Sequence, residues 1–198
     1  MSNNLTKSLN YLFISKVRIK AIKFFMFSPD VPIHLRGAVR EMHEEINAVR
    51  RELNRLEEIG FIKSESRGNR RYYMLNPEFE FINEFMGIFH KTFGMGGLLI
   101  ENKAKLGEIQ FAILTSSFTR GIRVGVHDVD LVLIGQVNMN VLSALVTEAE
   151  QKLGREVNYT VLKGSEYVLR KKRRDAFVMD LLINDKIILI GNPAELLN

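Results

Sequence analysis

Cysteine is missing from this 198-residue chain, which excludes a disulfide framework, a redox thiol and a cysteine-ligated zinc. Long apolar runs are missing too. Leu131–Ile134 and Ile187–Ile190 are strand-length, far short of the ~20 residues of a membrane-spanning helix. Met1–Lys7 lacks the basic-then-apolar order of a signal peptide. These absences predict a soluble, cytoplasmic protein with no membrane partner. There is no internal repeat. The four histidines (His34, His43, His90, His127) share no spacing, although His127 precedes an aspartate. Ser116-Ser117 is followed by Phe118-Thr119-Arg120 rather than by the glycine of a nucleophile elbow.

A hydrophobic share of 46% is ample for globular cores, and the length suits one domain or two small ones. The net charge is +5, and its placement is uneven. Residues 1–93 carry 15 Lys and Arg against 11 Asp and Glu, residues 94–198 carry 13 against 12. A basic surface favours phosphate polyanions through counterion release; the plainer reading of the same charge is solubility.

The first half reads as helical. Lys16–Phe27 mixes cationic and apolar residues and stops before Ser28-Pro29. Pro32 can open a short helix over Ile33–Met42, with Leu35, Ala38 and Val39 inward. His43-Glu44 is a turn, and Glu45–Ile59 a third helix whose acidic start suits the helix dipole. Ile46, Val49, Leu53, Leu56 and Ile59 recur at spacings of three and four, one apolar stripe. Asn47, Arg50, Arg51 and Asn54 fall on other faces. Gly60 ends the helix, and Phe61–Ser66 and Asn69–Leu75 flank a turn at Gly68-Asn69. Pro77 opens a further helix to about Thr92, its Phe79, Phe81, Phe85 and Phe89 forming an apolar seam toward another domain or a second copy.

Helix, turn, helix, glycine, basic hairpin is the order of a winged helix-turn-helix, and it makes duplex DNA the first partner to consider. Arginine suits guanine and asparagine suits adenine by bidentate geometry, so Asn47, Arg50, Arg51 and Asn54 are candidate base readers. Lys63, Arg67, Arg70 and Arg71 line the hairpin as candidate phosphate or minor-groove contacts. The run AVRRELNRLEEIGFIKSESRGNRRYYMLNP, residues 48–77, resembles the winged-helix domain of small prokaryotic regulators of the ArsR/MarR-like type, and the resemblance extends over residues 14–93. It implies that the third helix reads DNA, that the second hairpin strand with Tyr72 and Tyr73 packs on the core, and that the protein binds as a homodimer.

Gly94-Met95-Gly96-Gly97 reads as the joint between domains, followed by a helix over Leu98–Leu106. The second half then alternates. Ile109–Thr115, Asp128–Ile134, Glu156–Leu162 and Lys186–Ile190 are strand-like, with helices at Val141–Leu153 and Arg173–Ile183. The five cations Arg170–Arg174 read as a solvated helix start or turn, or as a further phosphate contact.

The segment IQFAILTSSFTRGIRVGVHDVDLVLI, residues 109–134, is similar to the minimal nucleotidyltransferase core, and the likeness runs on to about Leu196. Asp-x-Asp on a strand places both carboxylates on one face, so Asp128 and Asp130 are the candidate catalytic and Mg²⁺-binding pair. Ser116 and Ser117 are the candidate nucleotide-binding residues, cradling phosphate with the loop amides. Two positions depart from the pattern. Ser116 stands where the family has glycine, and the neutral Asn158 stands where it has a third carboxylate; Glu156 shares that strand face about 7 Å away.

The sequence thus predicts an α+β protein in two parts, a winged-helix domain over residues 1–93 and a nucleotidyltransferase-like domain with a mixed sheet over residues 98–198. The leading reading is a DNA-binding transcriptional regulator whose second domain is a degenerate nucleotidyltransferase used for sensing or interaction and requiring no cofactor. The alternative is a Mg²⁺-dependent, antitoxin-like nucleotidyltransferase that takes a nucleotide and uses the winged helix for targeting.

Overall fold

The computed structural model describes residues 4–120 and 129–197. It is an α+β chain that divides into two compact units, Met1–Phe89 and His90–Asn198. Among the described residues no helix is long and apolar enough to cross a membrane.

The first unit begins with α1 (Asn4–Leu12) and α2 (Lys16–Phe27), the second capped by the Ser15 hydroxyl, which accepts from the Arg18 N–H. A two-residue strand β1 (Ile33–His34) leads into α3 (Leu35–Met42). Proline therefore does not open this helix. The His34 ring does, its Nδ1 accepting the Gly37 N–H at 3.0 Å. His43 turns the chain in a left-handed conformation (φ 52°) into α4 (Ile46–Glu58). Glu45 caps α4 with both carboxylate oxygens, which accept from the Asn47 and Ala48 N–H groups. Those N–H groups, with a smaller contribution from the charge of Arg51, hold the Glu45 carboxyl below the usual range.

Val49, Leu53 and Leu56 carry the buried stripe of α4 against α2 and α3. The stripe is shorter than its spacing suggests. Ile59 is 61% exposed, because it sits at the helix end where Gly60 (φ 77°) turns the chain away. Glu52, in the middle of the stripe, is buried instead. It accepts from Arg18 Nε of α2 at 2.8 Å and from Arg55 Nη1 at 3.0 Å. Burial raises its pKa, but the hydrogen bonds from Arg18 and Ser15 and the two positive charges outweigh that and leave it lowered.

β2 (Ile62–Arg67) and β3 (Arg70–Leu75) form an antiparallel hairpin whose two-residue turn starts at Gly68, with φ of 59°. β1 adds to β3, giving the order β1-β3-β2. Tyr73 and Leu75 turn into the core, while Tyr72, one residue out of phase, faces the other way beside the His34 ring. After a turn, α5 (Ile82–Thr92) begins five residues later than Pro77 suggests. Its Phe85 and Phe89 pack with Phe13, and Phe85 also meets Phe61 and Phe79, so most of the expected seam is internal to this unit; Phe81 remains 56% exposed.

The second unit is a four-stranded mixed sheet with helices on both faces. Its elements are α6 (Gly94–Glu101), α7 (Lys103–Leu106), β4 (Gly107–Thr115), α8 (Ser116–Arg120), β5 (Leu131–Val137), α9 (Met139–Leu153), β6 (Tyr159–Leu162), α10 (Gly164–Lys172), α11 (Ala176–Ile183), β7 (Lys186–Ile190) and α12 (Pro193–Leu197). The strand order is β6-β5-β4-β7, with β5 and β6 parallel and the other pairs antiparallel. Parallel neighbours need a crossover, which α9 supplies between β5 and β6.

The central strands read as continuous apolar runs because both faces are covered. Ala112, Leu114, Leu131 and Leu133 face one core with Leu142, Val146, Met95 and Leu99. Phe111, Ile113, Val132 and Ile134 face the other, with Tyr167, Val178 and Leu181.

Three expectations change here. Gly94-Met95-Gly96-Gly97 is the buried first turn of α6 and not a joint. Glycine is used there for close approach, since a Cβ on Gly96 would lie 2.0 Å from the His90 carbonyl oxygen. Of the two readings of the cation run at 170–174, a turn fits and a helix start does not: the run ends α10 and continues, with Arg174 (φ 52°), into the turn before α11. β5 begins at Leu131, so Asp130 precedes the strand in a bend.

Candidate functional site

The basic residues of the first unit meet around a groove of about 860 Å³. Its walls come from β1, α3, α4 and the β2–β3 hairpin. His34, Leu35, Arg36 and Arg40 line one side, Ile46, Arg50 and Asn54 the next, and Asn69, Arg70, Arg71 and Tyr73 the last. Five of these side chains are arginines and none is a carboxylate. Each wall follows from local pattern. Arg36 and Arg40 are four apart on α3, opposite the buried Ala38 and Met42. Ile46, Arg50 and Asn54 are again four apart on α4, which puts them on one ridge.

The four residues expected on the outer face of α4 therefore divide. Arg50 and Asn54 look into the groove, while Asn47 and Arg51 stand one position round the helix, exposed. Arg50 Nη1 donates to Asn47 Oδ1 at 3.1 Å, which joins the two ridges. Among the described residues Arg36, Arg40, Arg50 and Arg70 form no ion pair with a carboxylate.

The hairpin cations divide as well, because successive side chains alternate between faces. Lys63, Arg67 and Arg70 lie on one face and Arg71 on the other. Lys63 donates to Glu78 at 2.9 Å and holds that carboxyl below its usual range. Arg67 pairs with Glu65 and lies over the Tyr72 ring, 5.4 Å from its centroid. Arg71, though exposed, is tied to its own unit: Nη2 donates to both oxygens of Glu57 at 2.6 and 2.7 Å, and Nε donates to the Ser64 hydroxyl at 2.8 Å. Of the four hairpin cations, Arg70 alone is both exposed and outside any ion pair among the described residues.

Arg36 and Arg40 were not among the sequence-derived candidates. Their spacing of four, away from Ala38 and Met42, is the signal that would have found them. Converging guanidinium groups suit the binding of an anion.

The second unit arranges its charges differently. Asp128 and His127 lie outside the described residues. Asp130 is fully buried, and its carboxylate faces a cation. Arg155 Nη1 donates to both oxygens at 3.3 and 3.4 Å, and the Asn158 backbone N–H donates to Oδ2 at 3.0 Å. Arg155 also lies over the Phe118 ring, 4.8 Å from its centroid. Asn158, where the resemblance implies a third carboxylate, also accepts the Asp130 and Leu131 N–H groups at its backbone carbonyl, and Glu156 is exposed. Among the described residues no group of three or more His, Cys, Asp or Glu gathers as a metal site; the expected partner of Asp130, Asp128, is not one of them.

Ser116 and Ser117, at the start of α8, border a cavity of only about 90 Å³ that Asp180 and Asp185 also line. Near Arg155 lies His90, also buried, its ring 5.8 Å from that of Phe118. Burial, helped by the positive charge of Arg155, holds its pKa down at about 4.

No protein-family model and no curated protein matches the chain. Among solved structures it aligns with human N-acetylserotonin methyltransferase in complex with SAM at a TM-score of 0.29 and 12% identity, covering 90% of this chain. The chain spans 44% of the length of that protein. A likeness at this level carries no argument about fold or chemistry.

Proposed function

We propose that the first unit is a winged helix that binds duplex DNA, and that the protein is a transcriptional regulator. The observation that carries this reading is the groove lined by five arginines and no carboxylate. Ordinary solvated surfaces mix both signs, whereas a surface of one sign between a helix and a hairpin suits a polyanionic duplex. In this reading α4 enters the major groove, with Asn47, Arg50, Arg51 and Asn54 toward base edges. Arg36, Arg40 and Arg70 bind phosphates. Lys63 and Arg67 join only if DNA displaces Glu78 and Glu65. The resemblance to ArsR/MarR-like regulators also implies a homodimer, which the solution mass of the chain tests.

The second unit is proposed to be nucleotidyltransferase-like in form and non-catalytic, serving sensing or interaction. Two features support this. The guanidinium of Arg155 faces Asp130, and its positive charge opposes a bound cation there. The cavity beside Ser116 and Ser117 carries two aspartates, which repel a triphosphate. The Mg²⁺-dependent alternative finds no comparable support among the described residues.

The test is selection of genomic fragments by the purified protein, followed by filter binding over a range of salt. The expected result is sequence-selective retention with a slope of log K against log[salt] of about −0.9 per neutralised phosphate. Failure to retain duplex at moderate salt overturns the regulator reading. Transfer of label from radioactive ATP in the presence of Mg²⁺ overturns the non-catalytic one.

A further inference from the structure

Arg71 was expected to touch phosphate, and its surroundings give it another task. Its Nη2 reaches both oxygens of Glu57, on the last turn of α4, at 2.6 and 2.7 Å. Its Nε donates to the Ser64 hydroxyl on β2, and Ser64 in turn donates to Glu57 Oε1 at 2.5 Å. The guanidinium also lies 5.5 Å from the centroid of the Tyr73 ring, which is buried in the core. The three polar groups therefore close a ring between the end of α4 and both strands of the hairpin. An isolated surface ion pair contributes little, but a carboxylate held through both oxygens within a network orders what it joins. The glutamate is itself only 24% exposed.

We propose that Glu57, Ser64 and Arg71 form a strut that fixes the β2–β3 hairpin against α4, and so sets the separation of the groove walls that carry Arg50 and Arg70. Arg71 and Glu57 are positioning residues for the polyanion site. The inference rests on the DNA-binding reading of that groove. It separates the arginines by role: Arg70 neutralises a phosphate, while Arg71 is neutralised by Glu57 and positions its neighbour.

The discriminating variant is Glu57→Gln. It makes the surface more cationic, so electrostatics alone predicts tighter DNA binding with a steeper salt dependence. The strut predicts the opposite sign, a loss of affinity on the order of tenfold, the size of coupling usual between contacting residues. Arg71→Gln weakens binding to a similar degree and leaves the salt slope unchanged, whereas Arg70→Gln lowers the slope by about one. Amide hydrogen exchange of the variants without DNA reads the strut directly. Residues 64–71 should lose protection while Leu53 and Leu56, in the core of α4, keep theirs. The proposal is overturned if Glu57→Gln tightens binding or leaves it unchanged, or if hairpin exchange is the same as in the wild type. It is also overturned if Arg71→Gln lowers the salt slope as Arg70→Gln does. Wild-type protein that retains no duplex overturns the reading of the groove, and hairpin exchange then decides the strut alone.

Discussion

Arg50 and Asp130 are both charges next to residues of the core, Val49 and Leu131, and the fold treats them in opposite ways. Arg50 stands on an exposed ridge of α4 among other arginines, in a groove lined by no carboxylate. Asp130 is fully buried against Arg155 and a backbone N–H. A charge that has found its opposite inside the protein contributes to the fold. A set of like charges left facing a groove gains nothing for the fold, since their repulsion opposes compaction, and it remains available to a partner of opposite sign. The comparison extends within the first unit, where Arg71 resembles Asp130 more than it resembles its neighbour Arg70.

The sharpest way to break this contrast is Asp130→Ala. It leaves a void, takes the counter-charge from a partly exposed Arg155 and removes the acceptor of the Asn158 N–H, and should cost about 3 kcal/mol in the second unit, read by urea unfolding. Stability within about 0.5 kcal/mol of the wild type would show that the pair is not structural. Arg50→Ala, by contrast, should leave unfolding nearly unchanged.

Acid should separate the two units next. Between about pH 6.5 and 4 the unfolded chain binds a proton at His90 that the folded unit resists. Stability therefore falls as pH drops through that window, by about 3 kcal/mol at completion. His90→Gln should flatten this dependence. In the first unit the sensitive group is Glu52, whose folded pKa is lowered. Its contribution is fully present above the pKa of an unfolded glutamate, about 4.3, and is lost only as pH falls below that toward the folded value. Hydrogen exchange against pH should therefore show the second unit loosening first. The reverse order would contradict both burial arguments.

Smaller effects sharpen the account of the groove. Arg50→Ala or Arg51→Ala should weaken binding to a selected site by roughly 1–3 kcal/mol if the side chain reads a base, with much less effect on unrelated duplex. Arg36→Gln and Arg40→Gln should weaken selected and unrelated sequences alike, each lowering the salt slope by about one. A sequence-dependent loss at Arg36 would move it from the phosphates to the bases.

Much of this architecture was legible from periodicity. Lys16–Phe27 is found as read, α4 differs by one residue at each end, and all four strand-like runs of the second half contain strands. Local pattern is enough where one face of an element is clearly apolar. It failed where a residue serves a neighbour distant in sequence. Gly94, Gly96 and Gly97 look like a flexible joint because glycine usually breaks helices, yet α6 needs Gly96 and Gly97 so that its backbone can approach His90 and Thr92, and Gly94 holds a φ of 60° at its start. Arg36 and Arg40 went unnoticed as site residues, although their spacing marks them, because only folding brings α3 beside the hairpin.

The sequence alone determined the main apolar stripes, where most helices and strands run, and that cations gather in the first half, because these depend on side-chain type and on periods of 3.6 and 2 residues. The tertiary structure decided which charges remain available. Arg71 is matched by Glu57, 14 residues away, and Asp130 by Arg155, 25 residues away. Ion pairing depends on distance in space, and no spacing along the chain encodes it.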